Sequence, residues 1–389
     1  MTPKFVQRPL GDREPTATLY YGADCRDTLF HLPARSVHTV VTSPPYWGLR
    51  DYGTGNDQIG LEETPEEFVE AMVDVFREVK RVLRDDGTLW LNLGDSYAGA
   101  GPSGASYQSE TTKRRAGQKQ DGNFSISKSL GARGLTYKDK RPVPPPGMKS
   151  KDLVGIPWLV AFALRKDGWY LRSDIIWAKG SCMPESVKDR PTRSHEYLFL
   201  LAKSPKYYYD HEAIKELSVT ADPRSPHGRG QESVGGRAAR GAREGGTKQS
   251  DAAKRNKRSV WKVNPVPYAG AHFAVFPPNL VAPCILAGTS EKGCCPVCGT
   301  PWDRTPEGWE AACGCPPHEP VPCKVLDPFS GSGTTGAVAL DYGRDYVGLD
   351  LSEDYLELAQ TRLLGEPPVK PSDDEGDGGI LDLLGVQGE

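Results

Sequence analysis

The stretch Lys324-Val325-Leu326-Asp327-Pro328-Phe329-Ser330-Gly331-Ser332-Gly333-Thr334-Thr335 constrains this chain more than any other. A short apolar run ends in an acid, two glycines follow, and a helix-forming segment covers 336–341. The pattern is a strand, a tight turn and a helix. Gly331 and Gly333 let backbone approach a ligand closely at the carboxyl end of a strand. A second strand, 345–349, runs into Asp350, 23 residues after Asp327. An acid about 20 residues beyond a Gly-rich βα turn is where a ribose hydroxyl pair is held. A phosphate ligand fits poorly, because Gly-Lys-Ser/Thr is missing and Asp327 would repel it. S-adenosylmethionine carries a ribose, a sulfonium and an amino group but no phosphate, and an acidic loop suits it.

The rest of the chain repeats the alternation of strand and helix. Residues 38–42 are β-branched and run into Pro-Pro, which reads as a buried strand entering a loop. Thr64 and Glu67 form a capping box with Pro65 at the first helical position. Phe68, Met72, Val75 and Val79 keep helical spacing behind it. Asp86-Gly87 then reads as a turn into a strand over 88–93. A helix over 156–167, strands over 168–177 and 195–202, and a short helix after Pro277-Pro278 complete the pattern. It predicts an α/β fold: a doubly wound, mostly parallel sheet with helices on both faces and its pockets at the carboxyl ends of the strands.

Thr42-Ser43-Pro44-Pro45-Tyr46-Trp47 closes the strand over 38–42. A Pro-Pro pair has fixed φ and no N–H, so it makes a rigid loop whose carbonyls are free to accept. An exocyclic amino nitrogen has its lone pair delocalised into its ring. Acceptors for its two protons draw it toward a tetrahedral nucleophile. Ser43 Oγ and the Pro44 carbonyl are candidates for those acceptors, with Tyr46 stacked on the base.

SPPY and DPFSGSGTT together resemble the motifs of the amino-methylating DNA methyltransferases. The resemblance covers most of 17–98, 150–215 and 270–364, and the catalytic motif precedes the cofactor motif, as in the permuted β group. It implies a Rossmann-like S-adenosylmethionine-dependent methyltransferase fold. Asp327, Phe329, Gly331, Ser332, Gly333 and Thr334 would surround the methionine part, Asp350 would hold the ribose, and Asp24 would lie near the adenosine. Within the family, Ser at the first position of the catalytic motif, here Ser43, is typical of cytosine-N4 enzymes and Asp of adenine-N6 enzymes. The substrate implied is double-stranded DNA with the target base flipped out of the stack. A cognate restriction endonuclease is a candidate companion whose presence the sequence does not decide. The stretch 189–204 is also family-like, and places Arg193, His195 and Glu196 near the target pocket without a defined role.

Charge is segregated. The overall net charge is -3, yet residues 99–150 sum to +7, 222–262 to +7, and 366–389 to -6. We read 17–98 and 151–217 as the catalytic half, 99–150 and 218–265 as basic inserts that contact phosphates and read the target, 270–364 as the cofactor half, and 366–389 as a disordered acidic tail. No apolar run is long enough to span a membrane, about 18 residues or more, and the start lacks the apolar core of a signal peptide. A cytoplasmic protein is expected, in which nine cysteines point to metal wherever they cluster. Cys295-Pro-Val-Cys298-Gly and Cys313-Gly-Cys315 lie 15 residues apart and predict a small structural zinc finger at 294–323 with these four as ligands. The tight second pair leaves Cys294, His318 and Cys323 as substitutes. Three rivals remain at this point: an adenine-N6 enzyme with Ser in place of Asp, a methyltransferase acting on protein glutamine or RNA, and a non-enzymatic zinc-bearing DNA-binding protein.

Overall fold

A computed structural model describes residues 4–7, 14–48, 58–99, 144–182, 184–217, 254–266 and 276–365. The acidic tail, 100–143 of the first basic insert and 218–253 of the second lie outside these.

The chain begins with β1 (Lys4–Gln7), β2 (Thr16–Tyr21), α1 (Cys25–His31), β3 (Val37–Thr42), α2 (Pro65–Val82) and β4 (Leu83–Leu93). It continues with α3 (Ile156–Lys166), β5 (Tyr170–Ala178), β6 (His195–Ala202), β7 (Glu216–Leu217), β8 (Lys254–Arg255), β9 (Val260–Lys262) and α4 (Pro278–Gly288). It closes with β10 (Trp302–Thr305), β11 (Gly308–Ala311), β12 (Lys324–Asp327), α5 (Thr334–Asp341), β13 (Asp345–Asp350) and α6 (Tyr355–Leu363). Among the described residues the main sheet has nine strands in the order β1-β2-β13-β12-β3-β4-β6-β5-β9. From β2 to β4 the neighbours are parallel. β1 and β6 run antiparallel to their neighbours.

Helices cover both faces. Phe68, Met72 and Val79 of α2 share one core with Leu29 of α1 and Leu164 of α3. Leu280 and Val281 of α4 share the other with Leu340 of α5 and Leu363 of α6. The Thr64–Glu67 capping box forms as the sequence predicts, at 3.2 Å and 3.1 Å. The connections that leave the strands β12, β13 and β3 at their carboxyl ends meet along one edge, where the functional residues gather.

Three local readings are corrected. Asp86-Gly87 is not a turn between α2 and a new strand. β4 begins at Leu83, and 84–87 bulge out opposite the single residue His38, between the pairs Val37↔Leu83 and Thr39↔Thr88. Gly87 is needed there, since a Cβ would sit 2.6 Å from Leu83 and 2.9 Å from the His38 carbonyl. Second, the strand over 38–42 is not the first of the sheet: β2 precedes it, pairs with β13 and ends just before Asp24, its TATLYY alternation being too short to mark a strand by pattern. Third, the end of the second basic insert belongs to the sheet. β9 pairs parallel with β5 through Ile176↔Val260 and Trp177↔Trp261.

Candidate active site

β12 and β3 lie side by side, with Val325 opposite Thr39 and Leu326 opposite Val40. The DPFSGSGTT loop and the TSPPY loop therefore leave the same edge as neighbours. One hydrogen bond ties them directly: Thr42 Oγ1 donates to Asp327 Oδ1 at 2.6 Å. Thr335 Oγ1 donates to Asp327 Oδ2 at 2.7 Å, and the Phe329 N–H donates to Oδ1 at 3.0 Å. Asp327 is fully buried. Burial pushes its carboxyl up to about 6 against the pull of Thr42, Thr335 and the Phe329 N–H, and the nearby Asp350 carboxylate adds to the rise.

The turn itself uses both glycines in the left-handed region, Gly331 at φ 49° and Gly333 at φ 76°. A Cβ on Gly333 would meet Leu363 at 2.7 Å, so α6 packs against it, whereas a Cβ on Gly331 would meet nothing within 4 Å. The open side of the turn is at Gly331. Its N–H donates to Asp350 Oδ2 at 2.7 Å, and the Ser352 N–H donates to Oδ1 at 2.9 Å. Burial pushes the Asp350 carboxyl up to about 6 in spite of these two donors. Ser330 Oγ is shared by the hydroxyls of Tyr21 and Tyr346, each at 2.8 Å.

Asp24 caps α1 by accepting from the Arg26 N–H at 2.7 Å, and its carboxylate also receives the Arg26 guanidinium. Burial works to raise its carboxyl, but the Arg26 donors outweigh it and hold it below the usual range. Ser332 Oγ accepts from Arg362 Nη1 at 2.8 Å. The side chains of Asp327 and Ser332 thus serve the packing behind the turn, while Phe329, Gly331, Asp350 and Asp24 keep partial exposure.

Around the TSPPY loop, Ser43 Oγ donates to Asn92 Oδ1 at 3.2 Å. The Tyr46 hydroxyl donates to Glu196 Oε2 at 2.6 Å and lies 3.3 Å from Asn92 Oδ1. Lys179 forms an ion pair with Glu196 and lies 4.4 Å above the Trp177 ring. Pro44 is buried. Gly94 leaves room for Tyr46, since a Cβ there would stand 2.4 Å from its ring. Arg193 lies 3.9 Å from Asp95, which accepts the N–H groups of Gly155 and Ile156 at 2.8 Å and 3.1 Å at the start of α3.

The cysteines separate into two groups. The Sγ atoms of Cys295, Cys298, Cys313 and Cys315 all lie within 4.8 Å of one another. Cys294 and Cys323 gather instead with His38, whose ring is already engaged: Nδ1 accepts from the Lys324 N–H at 2.9 Å and Nε2 faces the Gly299 carbonyl at 2.8 Å. The β10–β11 hairpin rises between the cysteine pairs.

The profile of the DNA methylase family (N6_N4_Mtase) matches residues 37–361. The chain belongs to this family. It is 43% identical to the type II methyltransferase M.SmaI of Serratia marcescens over 341 residues, 88% of this chain and 89% of that one. It is 44% identical to the type II methyltransferase M.Cfr9I of Citrobacter freundii over 350 residues, 90% of this chain and 88% of that one. Its fold is similar to that of PvuII DNA methyltransferase (cytosine-N4-specific), with a TM-score of 0.50 and 16% identity over 90% of this chain and 86% of that one.

As a member of a DNA methylase family the chain is an amino-methylating DNA methyltransferase, which removes the protein- or RNA-methylating and non-enzymatic readings. Sequence reasoning did not find Asn92 or Lys179, and it named Thr42 without its bond to Asp327. Asn92 and Lys179 sit at strand ends, where the signal was there in principle: a polar residue inside the apolar run of β4, and a lysine closing β5 next to the family-like stretch. Tyr21 had no signal, because its partner Ser330 lies 309 positions away.

Proposed function

We propose that this methyltransferase transfers a methyl group from S-adenosylmethionine to the exocyclic N4 of a cytosine flipped out of double-stranded DNA at a specific site. The observation that carries the reading is the juxtaposition of the two loops, tied by Thr42 and Asp327 at 2.6 Å, with Ser43 at the first position of the catalytic motif. When bound, S-adenosylmethionine would supply an electrophilic methyl on a sulfonium; the amino nitrogen would form its bond to that carbon as the C–S bond breaks, the neutral thioether leaving with the sulfur's electron pair and one amino proton passing to solvent. Phe329 and the Gly331 backbone flank its methionine part, with Gly333 and Thr334 shaping the turn. Asp350 accepts the ribose hydroxyls, and Asp24 borders the adenosine. Asp327 and Ser332 act by holding the turn, not by touching the cofactor. Ser43 Oγ and the Pro44 carbonyl accept the two amino protons, Pro45 fixes the loop, and Tyr46 stacks on the base. Mass spectrometry of nucleosides from treated DNA tests it. N4-methylcytosine is expected, and N6-methyladenine alone would overturn the Ser43 inference while leaving the enzyme class.

The reading extends to the inserts and the finger. Arg and Lys of 99–150 and 218–265 contact phosphates and base edges. Of the described ones, Arg255 and Arg258 share Glu216 at 3.0 Å and 2.5 Å, so DNA phosphates would have to compete with that carboxylate. Cys295, Cys298, Cys313 and Cys315 fit one structural zinc: tetrahedral ligation at about 2.3 Å needs sulfurs about 3.8 Å apart, and the four already converge. A restriction endonuclease for the same sequence would accompany a type II enzyme, and a DNA substrate places the chain in the cytoplasm.

A further inference from the structure

The target loop is connected to a charged pair whose role the reading of Ser43 does not use. Asn92 is fully buried on β4. Its Nδ2 donates to the Tyr197 carbonyl at 3.1 Å and to Glu196 Oε2 at 3.3 Å. A carbonyl and a carboxylate only accept, so the amide has one workable orientation, with Oδ1 facing the loop. Turning it over would set Oδ1 against two acceptors in a buried place, at a cost of about 1–3 kcal/mol for each polar group left unpaired.

That orientation decides what Ser43 can do. A hydroxyl has one proton and two lone pairs. Asn92 Oδ1 has no proton, so across their 3.2 Å contact Ser43 is the donor. Its remaining capacity is then acceptor only, and an exocyclic amino group presents two protons. With the amide reversed, Nδ2 would occupy one Ser43 lone pair and the hydroxyl proton, no longer engaged, would be free to turn toward the group Ser43 must receive.

Glu196 locks this arrangement from behind. One oxygen takes the Asn92 amide and the Tyr46 hydroxyl, at 3.3 Å and 2.6 Å. The other is held by Lys179. The side chains of Glu196 and Lys179 are 14% and 22% exposed, so the pair is shielded enough for its geometry to be fixed. We propose that Glu196, anchored by Lys179, is a positioning residue that sets the Asn92 amide and thereby makes Ser43 an acceptor for the target amino group. The proposal rests on the reading of Ser43 as the acceptor, and it holds whichever base is methylated.

The experiment is single-turnover methyl transfer at saturating DNA, with labelled S-adenosylmethionine, for wild type, Ser43→Ala, Glu196→Gln and Lys179→Gln. Cofactor affinity by calorimetry and base flipping by 2-aminopurine fluorescence at the target are measured beside it. A Gln at 196 can offer its own N–H to Asn92, which leaves the Tyr197 carbonyl alone to hold the amide's orientation. Glu196→Gln is expected to slow transfer by about 10- to 100-fold, the scale of a misplaced reacting group, with cofactor affinity and the flipping signal within about 2-fold of wild type. Lys179→Gln is expected to act in the same direction and keeps the proposal testable if Glu196→Gln fails to fold. A Glu196→Gln rate within about 3-fold of wild type, in a protein whose Ser43→Ala variant is inactive, overturns the positioning role alone. A loss of rate that tracks an equal loss of cofactor affinity also overturns it, as a general structural defect. An active Ser43→Ala variant overturns the reading of Ser43 instead.

Discussion

Replacing Thr42 with Val should separate the two loops energetically while keeping the shape of the side chain. The change removes the 2.6 Å donor to Asp327 and leaves Thr335 and the Phe329 N–H in place. A hydrogen bond to a charged group contributes about 1.5–3 kcal/mol. Because Phe329 still donates to the same oxygen, the lower half of that range is expected at pH 7.5. The loss must also depend on pH. Burial holds the Asp327 carboxyl up at about 6, above its unfolded value, so its contribution to stability is complete below about pH 4 and fades as pH rises through 6. Removing a donor to the charged form raises the folded value further and steepens that fade. The stability difference between variant and wild type should therefore widen from pH 5 to pH 7.5. At pH 5 the carboxyl is mostly protonated and the lost bond is worth only the neutral figure of about 0.5–1.5 kcal/mol. Paired denaturant titrations at the two pH values measure this. A difference that is the same at both, or below about 0.5 kcal/mol at pH 7.5, would refute the view that an ionised Asp327 joins β3 to the cofactor turn.

Other outcomes follow from the same edge. Gly331→Arg places a side chain in the open space beyond a left-handed residue at φ 49°, so calorimetry should show cofactor binding lost with only about 1–2 kcal/mol of destabilisation; undiminished affinity would move the cofactor off this turn. Cofactor affinity should be level above about pH 7 and fall by up to about 10-fold per unit below 6 as Asp350, raised to about 6 by burial, loses its charge, and a flat wild-type profile from pH 5 to 8 would count against Asp350 as the ribose acceptor. Metal analysis should find about one zinc per chain, lost in the Cys295→Ser, Cys298→Ser double variant, while a variant that keeps stoichiometric zinc would refute the ligand set.

The layers of the fold and the two loops were legible because each has a local signal. A β-branched run before Pro-Pro, a capping box and a Gly-rich turn carry their meaning within about a dozen residues. What could not be read was long-range. That Asp327 is a buried junction between the two loops depends on Thr42 arriving from the neighbouring strand, 285 positions away. That Arg193 pairs with Asp95 depends on β6 lying beside β4. The bulge at 84–87 looked like a turn because Asp-Gly supports both, and only the partner strand distinguishes them. The choice among Cys315, His318 and Cys323 was likewise a matter of space: Cys323 is drawn to Cys294 at the root of β12 and so is unavailable to the outer four.

The two ends of β3 bear different duties. Ser43 follows its carboxyl end. His38, near its amino end, carries the finger through the Gly299 carbonyl at 2.8 Å, and Arg84 at the start of β4 donates to the Cys298 carbonyl at 2.6 Å. Five strand residues at about 3.3 Å each separate the finger's attachment from the catalytic loop by about 16 Å. The finger is thus attached at the end of β3 opposite to Ser43. Metal in the finger should brace the amino-terminal edge of the sheet, where β3, β4 and β12 begin, so that its removal lowers thermal stability and leaves the single-turnover rate of the protein that remains folded nearly unchanged. A large fall in that rate in a folded, zinc-free protein with normal cofactor affinity would mean that the strand transmits strain from one end to the other.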